Sequence, residues 1–316
     1  MKPTIYIDGE AGTTGLEIRE RLATRDDLEL LSIDPARRKD PDARRELLDA
    51  ADVAILCLPD DAAREAVDLC GSDTTRFIDA STAHRTAADW VYGFPELSPA
   101  QREAVAGARR LANPGCHATG FVALVRPLVD AGVIAPDAAL SCTSLTGYSG
   151  GGKGLIEAYD AAPPGDARMD APRHYALGLA HKHLPEMTVV GGLDRPPVFL
   201  PVVGRFYRGM LVSVPLHVGA LARPLPAREV HVLLAEHYDG SRFVEVMPFA
   251  GEGVTDGGFL DAVACNGTNR MELFVFGHDT QVALIARLDN LGKGASGAAV
   301  QNLNLMLGLD EATGLA

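Results

Sequence analysis

The chain has 316 residues, 47% of them apolar and 22% charged, an ordinary globular composition that excludes a disordered or fibrous chain. Forty-two acidic against 29 basic residues leave a net charge of −13, which excludes broad phosphate-backbone binding and with it a nucleic-acid partner. No apolar run approaches the roughly 18 to 20 residues that span a bilayer, and no basic start with an apolar core precedes Thr4, so neither a membrane span nor a signal peptide is expected.

Thr4–Asp8 reads as a short β-rich strand, and Gly12–Arg25 as a helix with Leu16 and Leu22 facing inward. A second strand is expected over Leu28–Asp34 and a helix over Ala43–Ala50. Val53–Leu58 is a continuous apolar run suited to a strand buried on both faces. Asp61–Leu69 reads as a helix, Arg76–Ala80 as a strand, and Ser98–Gly107 as a helix opened by Ser98 and Pro99. Alternation at this spacing implies an α/β domain, a parallel sheet covered on both faces.

Gly9-Glu10-Ala11-Gly12-Thr13-Thr14-Gly15 follows the first strand and opens the first helix. There glycines serve a tight turn, close approach of the backbone to a pyrophosphate, and close helix–strand packing. The helix N-terminus adds N–H groups and partial positive charge. The expectation is a Rossmann-type domain that binds a dinucleotide through Gly9, Gly12, Thr13, Thr14 and Gly15. At the end of the second strand, Asp34 suits a ribose 2′-hydroxyl, whereas Ser32, Arg37, Arg38 and Lys39 suit a 2′-phosphate. NADP is the expected cofactor.

From Ala139 onward, longer strand-like runs dominate: Ala139–Thr146, Thr188–Val190, Met210–His217, Phe243–Pro248, Met271–Phe276 and Thr280–Leu288. They predict a mainly antiparallel sheet in a second, α+β domain. Ala161–Gly165 reads as a surface loop, and Gly294–Leu307 as a helix that returns to the first domain. The expected division is a dinucleotide-binding domain of residues 1–115 with 290–316, and a catalytic, substrate and oligomerisation domain of residues 116–289.

Five cysteines without a Cys-x-x-Cys pair exclude a disulfide framework and a structural zinc site, and they suit a reducing cytoplasm. Cys116 stands apart. Pro114-Gly115 breaks the strand before it, and the apolar, helix-like run Phe121–Val129 follows, so its thiol belongs at or near a helix N-terminus. That position favours the thiolate by up to about 2 kcal/mol, taking a free thiol from about 8.5 towards about 7. A neighbouring base is still required. His181-Lys182-His183-Leu184-Pro185-Glu186 supplies two histidines that point the same way if extended, with Glu186 to orient one. Spacing does not separate His181 from His183, and His117, next to the cysteine, is expected to point elsewhere. No nearby spacing completes a metal site. A thiolate beside a nicotinamide implies acyl transfer to sulfur and hydride exchange at a thioester.

Gly9-x-x-Gly12-Thr13-Thr14-Gly15, Asn113-Pro114-Gly115-Cys116, Gly147-Tyr148-Ser149-Gly150, His181-x-His183-x-Pro185-Glu186 and Asp289-Asn290-Leu291-Gly292-Lys293-Gly294-Ala295 follow one another in the order seen in the N-acetyl-γ-glutamyl-phosphate reductases. The chain resembles the shorter class of that family, within the aspartate-semialdehyde dehydrogenase-like group. The resemblance implies NADPH-dependent reduction of N-acetylglutamyl 5-phosphate to N-acetylglutamate 5-semialdehyde with release of phosphate, a step of arginine biosynthesis. It implies Cys116 as nucleophile, His181 as acid/base, and His183 and Glu186 in the substrate pocket. It further implies that Asn290 and Gly292 meet the cofactor and that the chain is a homo-oligomer, a tetramer. Lys182 stands where the longer class has arginine. The tail from Asp289 is shared with aspartate-semialdehyde dehydrogenases, but those usually carry Asn-Cys where this chain has Gly115-Cys116. That activity and aminoadipyl-phosphate reduction rank second. A non-enzymatic NADP-binding sensor, the rival of a different class, needs neither the thiol nor the paired histidines. Arg85 is the first candidate for the substrate phosphate and Arg208 the second, with Lys153 a third cation nearby. Asn113 and Ser149 complete the expected substrate contacts.

Overall fold

An all-apolar strand needs cover on both faces, and every residue of Val53–Leu56 is buried. In this computed structural model, which describes residues 2–163 and 165–315, that strand lies within a six-stranded parallel sheet. Met1 and Ala316, at the ends of the expected first domain, and Pro164, in the expected loop Ala161–Gly165, lie outside the described residues. The chain forms two units, Met1–Pro114 with Ala295–Ala316, and Gly115–Gly294.

The first unit runs β1 (Thr4–Asp8), α1 (Thr13–Leu22), β2 (Glu29–Leu31), α2 (Pro41–Ala50), β3 (Val53–Leu56), α3 (Asp60–Leu69), β4 (Arg76–Asp79), β5 (Val91–Tyr92), α4 (Pro99–Gly107) and β6 (Arg110–Ala112). Strand order is β2-β1-β3-β4-β6-β5, parallel throughout. The period of two divides the strand side chains between two cores. Ile5, Ile7, Val53, Ile55, Ile78 and Leu111 go to one face, and Tyr6, Ala54, Leu56, Phe77 and Ala112 to the other. The inner face of α1 is formed by Ile18 and Leu22, whereas Leu16, expected there, is 49% exposed. The second strand is shorter than expected, so Ser32 and Asp34 lie beyond its end.

The second unit runs α5 (Cys116–Asp130), β7 (Ser141–Gly147), α6 (Gly152–Asp160), α7 (Ala167–Asp170), β8 (Arg173–His174), α8 (Leu184–Gly191), β9 (Val198–Gly204), β10 (Met210–His217), α9 (Ala227–His237), β11 (Val244–Val246), β12 (Met271–Gly277) and β13 (Gln281–Leu288). Its seven strands are ordered β11-β12-β13-β10-β7-β9-β8 and are mainly antiparallel, with parallel pairs at β11–β12 and β7–β9. The antiparallel sheet with its helices makes this the expected α+β architecture. α5 lies on the sheet through Gly120, where a Cβ would come within 2.7 Å of Val212 Cγ2. Thr188–Val190, read as a strand, is helical within α8, which packs on α5 and ends at left-handed Gly192.

The closing helix, α10 (Gly297–Met306), follows a wider π-type turn at Gly292–Ser296 and returns to the first unit. Ala299, Val300 and Leu303 complete the core against Ile18, Leu22 and Val105. Among the described residues no helix is long and apolar enough to cross a membrane.

Candidate active site

In the first unit, the turn after β1 is built on glycine for separate reasons. Gly9 has φ +89°, and a Cβ there would overlap the Cys57 carbonyl. A Cβ on Gly15 would lie 2.6 Å from Gly9 O and 2.9 Å from Glu10 Cα, so Gly15 sets the approach of α1 to the turn. Gly12 differs: its Cβ would meet protein only at 3.5 Å, in ordinary contact. The N–H of Gly12 donates to Gly9 O at 3.0 Å. Gly12 caps α1 without a side-chain hydrogen bond, and Thr13 and Thr14 form the first helical positions with no acidic residue in that turn. The helix start at Gly12, uncapped and without the tight packing of Gly9 and Gly15, fits a pyrophosphate. The two carboxylates closest in sequence are both paired, Glu10 with Arg19 at 2.7 Å and Asp8 with buried Arg44 at 2.9 Å.

At the end of β2, Asp34 Oδ1 accepts from Ala36 N at 2.9 Å and forms a tight turn. Arg37 is paired with Asp40, the N-cap of α2, at 2.8 Å. Ser32, Arg38 and Lys39 are exposed. Exposed hydroxyl and cationic side chains at Ser32, Arg38 and Lys39 suit a 2′-phosphate, while Arg37 is already engaged by Asp40.

Arg85 follows β4 in a clamped turn. Its Nε donates to the Asn113 carbonyl at 3.0 Å and an Nη to the Ala80 carbonyl at 3.1 Å. Buried Asp79 accepts from the Ser81 hydroxyl and bonds His84 Nδ1 at 2.7 Å, while the His84 ring stacks on Trp90 at 4.0 Å. Asn113, expected to touch substrate, is 1% exposed. Its amide donates to Ala295 O and accepts from Asn302, so both ends are engaged in holding α10.

In the second unit, Cys116 is the first residue of α5, and Gly115 is its N-cap in extended conformation with no side-chain cap. The Gly115 N–H donates to Glu186 Oε1 at 2.7 Å, tying the start of α5 to α8. Gly294 leaves room for the sulfur-bearing residue: a Cβ there would lie 2.7 Å from Cys116 Cβ. The half-buried His181 accepts at Nδ1 from the His183 N–H at 3.1 Å, so the neutral ring carries its hydrogen on Nε2. Burial, helped by the Lys182 charge, pushes His181 down to about 4. The His183 ring packs 4.8 Å from His181 and 5.4 Å from His117.

His117, expected to point away from the neighbouring Cys116, turns its ring nitrogens to Ser144 and Tyr175 and its ring to the other histidines. It is 4% exposed, its Nδ1 is 2.8 Å from Ser144 Oγ, and its Nε2 is 2.8 Å from Tyr175 Oη. Its ring meets His181 edge-on at 5.4 Å. Burial, with the charges of His181 and Lys182, pushes it down to about 3. Ser144 and Tyr175 belong to none of the motifs; only the fold brings them to His117, across 27 and 58 residues.

Ser149, Asn290 and Arg208 form another group in this unit. Asn290 donates to Ser149 Oγ at 3.0 Å and accepts from Gly209 N at 2.8 Å, and Arg208 faces buried Asp289 at 3.4 Å. Gly292 is packed against the Thr268 carbonyl. Lys153 sits on the exposed side of α6 facing Glu157, a surface pair. Among the described residues, no group of His, Cys, Asp and Glu side chains is placed to hold a metal ion.

Residues 116–290 match the family described as semialdehyde dehydrogenase, dimerisation domain, and residues 35–105 match semialdehyde dehydrogenase, NAD binding domain. The sequence is 54% identical over 320 aligned positions to N-acetyl-γ-glutamyl-phosphate reductase 2 of Nostoc sp., covering 99% of each chain. It is 53% identical over 311 positions to N-acetyl-γ-glutamyl-phosphate reductase of Brucella ovis, covering 98% of this chain and 100% of that one. Aspartate semialdehyde dehydrogenase II of Vibrio cholerae, complexed with ASA, superposes with a TM-score of 0.70 at 15% identity, covering 97% of this chain and 98% of that one. Aspartate semialdehyde dehydrogenase of Francisella tularensis gives 0.72 at 12% identity, covering 96% and 100%. At such identities the superpositions speak for the fold alone.

Proposed function

Because the chain belongs to the N-acetyl-γ-glutamyl-phosphate reductase family, we propose that Cys116 and His181 carry its reaction. The enzyme is an NADP-dependent oxidoreductase that reduces N-acetylglutamyl 5-phosphate to N-acetylglutamate 5-semialdehyde and phosphate, in arginine biosynthesis. The observation that carries the residue assignment is the cysteine at the uncapped start of α5, in one unit with an imidazole that burial keeps neutral.

The Cys116 thiolate adds to the acyl phosphate carbonyl, and the tetrahedral adduct expels phosphate to leave a thioester. NADPH, when bound, supplies the hydride that reduces this thioester. The resulting thiohemiacetal oxyanion collapses to the aldehyde and returns the sulfur as thiolate. Negative charge sits on the same oxygen in both adducts, so the Nε2–H of His181 stabilises each by donating to it. The one proton consumed overall ends on the released phosphate. His183 and Glu186 shape the pocket, Glu186 by fixing the Gly115 N–H and with it the first turn of α5. Arg85 is our assignment for the phosphate and Arg208, with Ser149, for the remaining polar ends of the substrate.

We assign dinucleotide binding to the first unit and chemistry to the second, with Gly9, Gly12, Thr13, Thr14, Gly15, Ser32, Arg37 and Arg38 as the cofactor contacts. Asn290 and Gly292 are proposed as further cofactor contacts. Cytoplasmic location and assembly into a homo-oligomer, a tetramer, complete the reading; exposed Tyr207, Phe259 and Val263 are apolar surface that such assembly covers.

Mixing the protein with NADP⁺, phosphate and N-acetylglutamate 5-semialdehyde should generate NADPH, faster than with the aspartyl or aminoadipyl semialdehyde. A silent assay with cofactor bound would return the sensor reading. For the cofactor contacts, Gly12→Val is the sharper variant. It should unfold at nearly the wild-type temperature yet weaken NADPH binding at least 10-fold, because a Cβ there meets the protein only in ordinary contact while the side chain obstructs the approach of a pyrophosphate to the turn. Unchanged NADPH affinity in a fluorescence titration removes the pyrophosphate from this turn.

A further inference from the structure

Resting on Cys116 as nucleophile, we propose that the Tyr175 hydroxyl donates a hydrogen bond to the ionised sulfur of Cys116, and that a Ser144–His117–Tyr175 chain aims it there. Three elements converge on this chain. Ser144 comes from β7 and is fully buried, His117 is the second residue of α5, and Tyr175 follows β8, its N–H held by the Pro201 carbonyl of β9.

The chain has a direction. A neutral imidazole offers one N–H and one lone pair, and the burial of His117 excludes the cation that would donate from both nitrogens. In one arrangement Tyr175 donates to His117 Nε2 and turns its oxygen lone pair towards the sulfur. In the other, the Ser144 hydroxyl donates to Nδ1, Nε2–H donates to the Tyr175 oxygen, and the phenolic O–H is left to point at Cys116. A negative sulfur repels the first arrangement and makes a charge-assisted bond in the second. The Tyr175 phenol is held above its usual range, first by burial and then by the charge of Cys116, so it stays a donor. Its titratable neighbours include His117, His181 and Cys116.

The backbone that follows agrees with a fixed tyrosine. Between Tyr175 and His181, Ala176 and Leu179 take left-handed conformations, φ +50° and +53°. Non-glycine residues adopt these at a cost of about 1–2 kcal/mol each. Such a spacer persists when both of its ends are tied down.

The test uses the full-length enzyme and two readouts: the pH dependence of inactivation by iodoacetamide without substrate, and steady-state kinetics. Tyr175→Phe should move the inactivation midpoint up by about one pH unit and lower kcat about 10- to 100-fold, with KM within about 2-fold. His117→Leu should do the same. His117→Gln, whose side-chain N–H replaces Nε2–H, should keep most of the wild-type behaviour. An unchanged midpoint and kcat in Tyr175→Phe overturn the proposal, and equal losses in His117→Gln and His117→Leu overturn the aiming by His117. Tyr175→Phe removes a single oxygen from a partly exposed ring, so it decides alone if the His117 variants do not fold. Wild-type enzyme that survives alkylation of Cys116 would fail the nucleophile assignment instead, a distinct result.

Discussion

Replacing Cys116 by serine should lower kcat by about 10⁴-fold or more while leaving NADPH affinity and thermal stability near wild type. The hydroxyl is close in size to the thiol, so the packing against Gly294 is kept. What is lost is the anion: a thiol at a helix start reaches the thiolate near neutral pH, whereas a hydroxyl there stays protonated. Removing a nucleophile typically costs several orders of magnitude, and other groups recover little of it because they act as a unit with it. Phosphate-dependent NADPH formation measured under single-turnover conditions checks the result. A serine variant within about 10-fold of wild type would move the chemistry away from this residue.

His181→Ala should cost about 10²- to 10³-fold in kcat, the range for loss of one donor to a developing oxyanion. The pH profile separates that role from simple proton shuttling. Burial holds His181 at about 4, below the usual 6.5, so the ring stays neutral through the working range. Wild-type kcat/KM should therefore show no inflection from this residue between pH 6 and 8. An inflection near 6.5 that disappears in the alanine variant would sink the neutral-donor role. Linkage carries a matching sign. The unfolded chain binds this proton more readily than the folded one, so the contribution to stability is complete above about 6.5 and is lost as pH falls through about 4. His117 adds to the same trend, down to about 3.

Much of the first unit was legible because its strands are either wholly apolar, as in Val53–Leu56, or, as in Thr4–Asp8, followed by a glycine turn. In the second unit, local composition misled in two places. Thr188, Val189 and Val190 are β-branched or strand-prone, yet packing of α8 on α5 outweighs that preference. Val198–Gly204 escaped notice as a strand because Pro201 interrupts it, although β7 and β8 pair on either side. At the site, the place of Cys116 at a helix start was readable from punctuation, whereas spacing did not separate His181 from His183. Tyr175 and Ser144 were not readable, since a hydrogen bond across 58 or 27 residues leaves no local pattern. The partners of His117 were missed for a related reason. Adjacent residues on a helix diverge by about 100°, which says where a side chain does not point but not what waits on its other side.

The return of α10 has a consequence for how the protein is made. Val300 and Leu303 fill a core otherwise built from strands and helices that leave the ribosome some two hundred residues earlier. Domains ordinarily mature from the N-terminus as they emerge, but here the sheet of the first unit must wait, one face covered only in part by α1 and α4, while the intervening second unit is synthesised and is free to fold first. The nascent chain thus exposes Ile5, Ile7 and Ile55 longest, and that interval is when it is most open to aggregation or to chaperone capture.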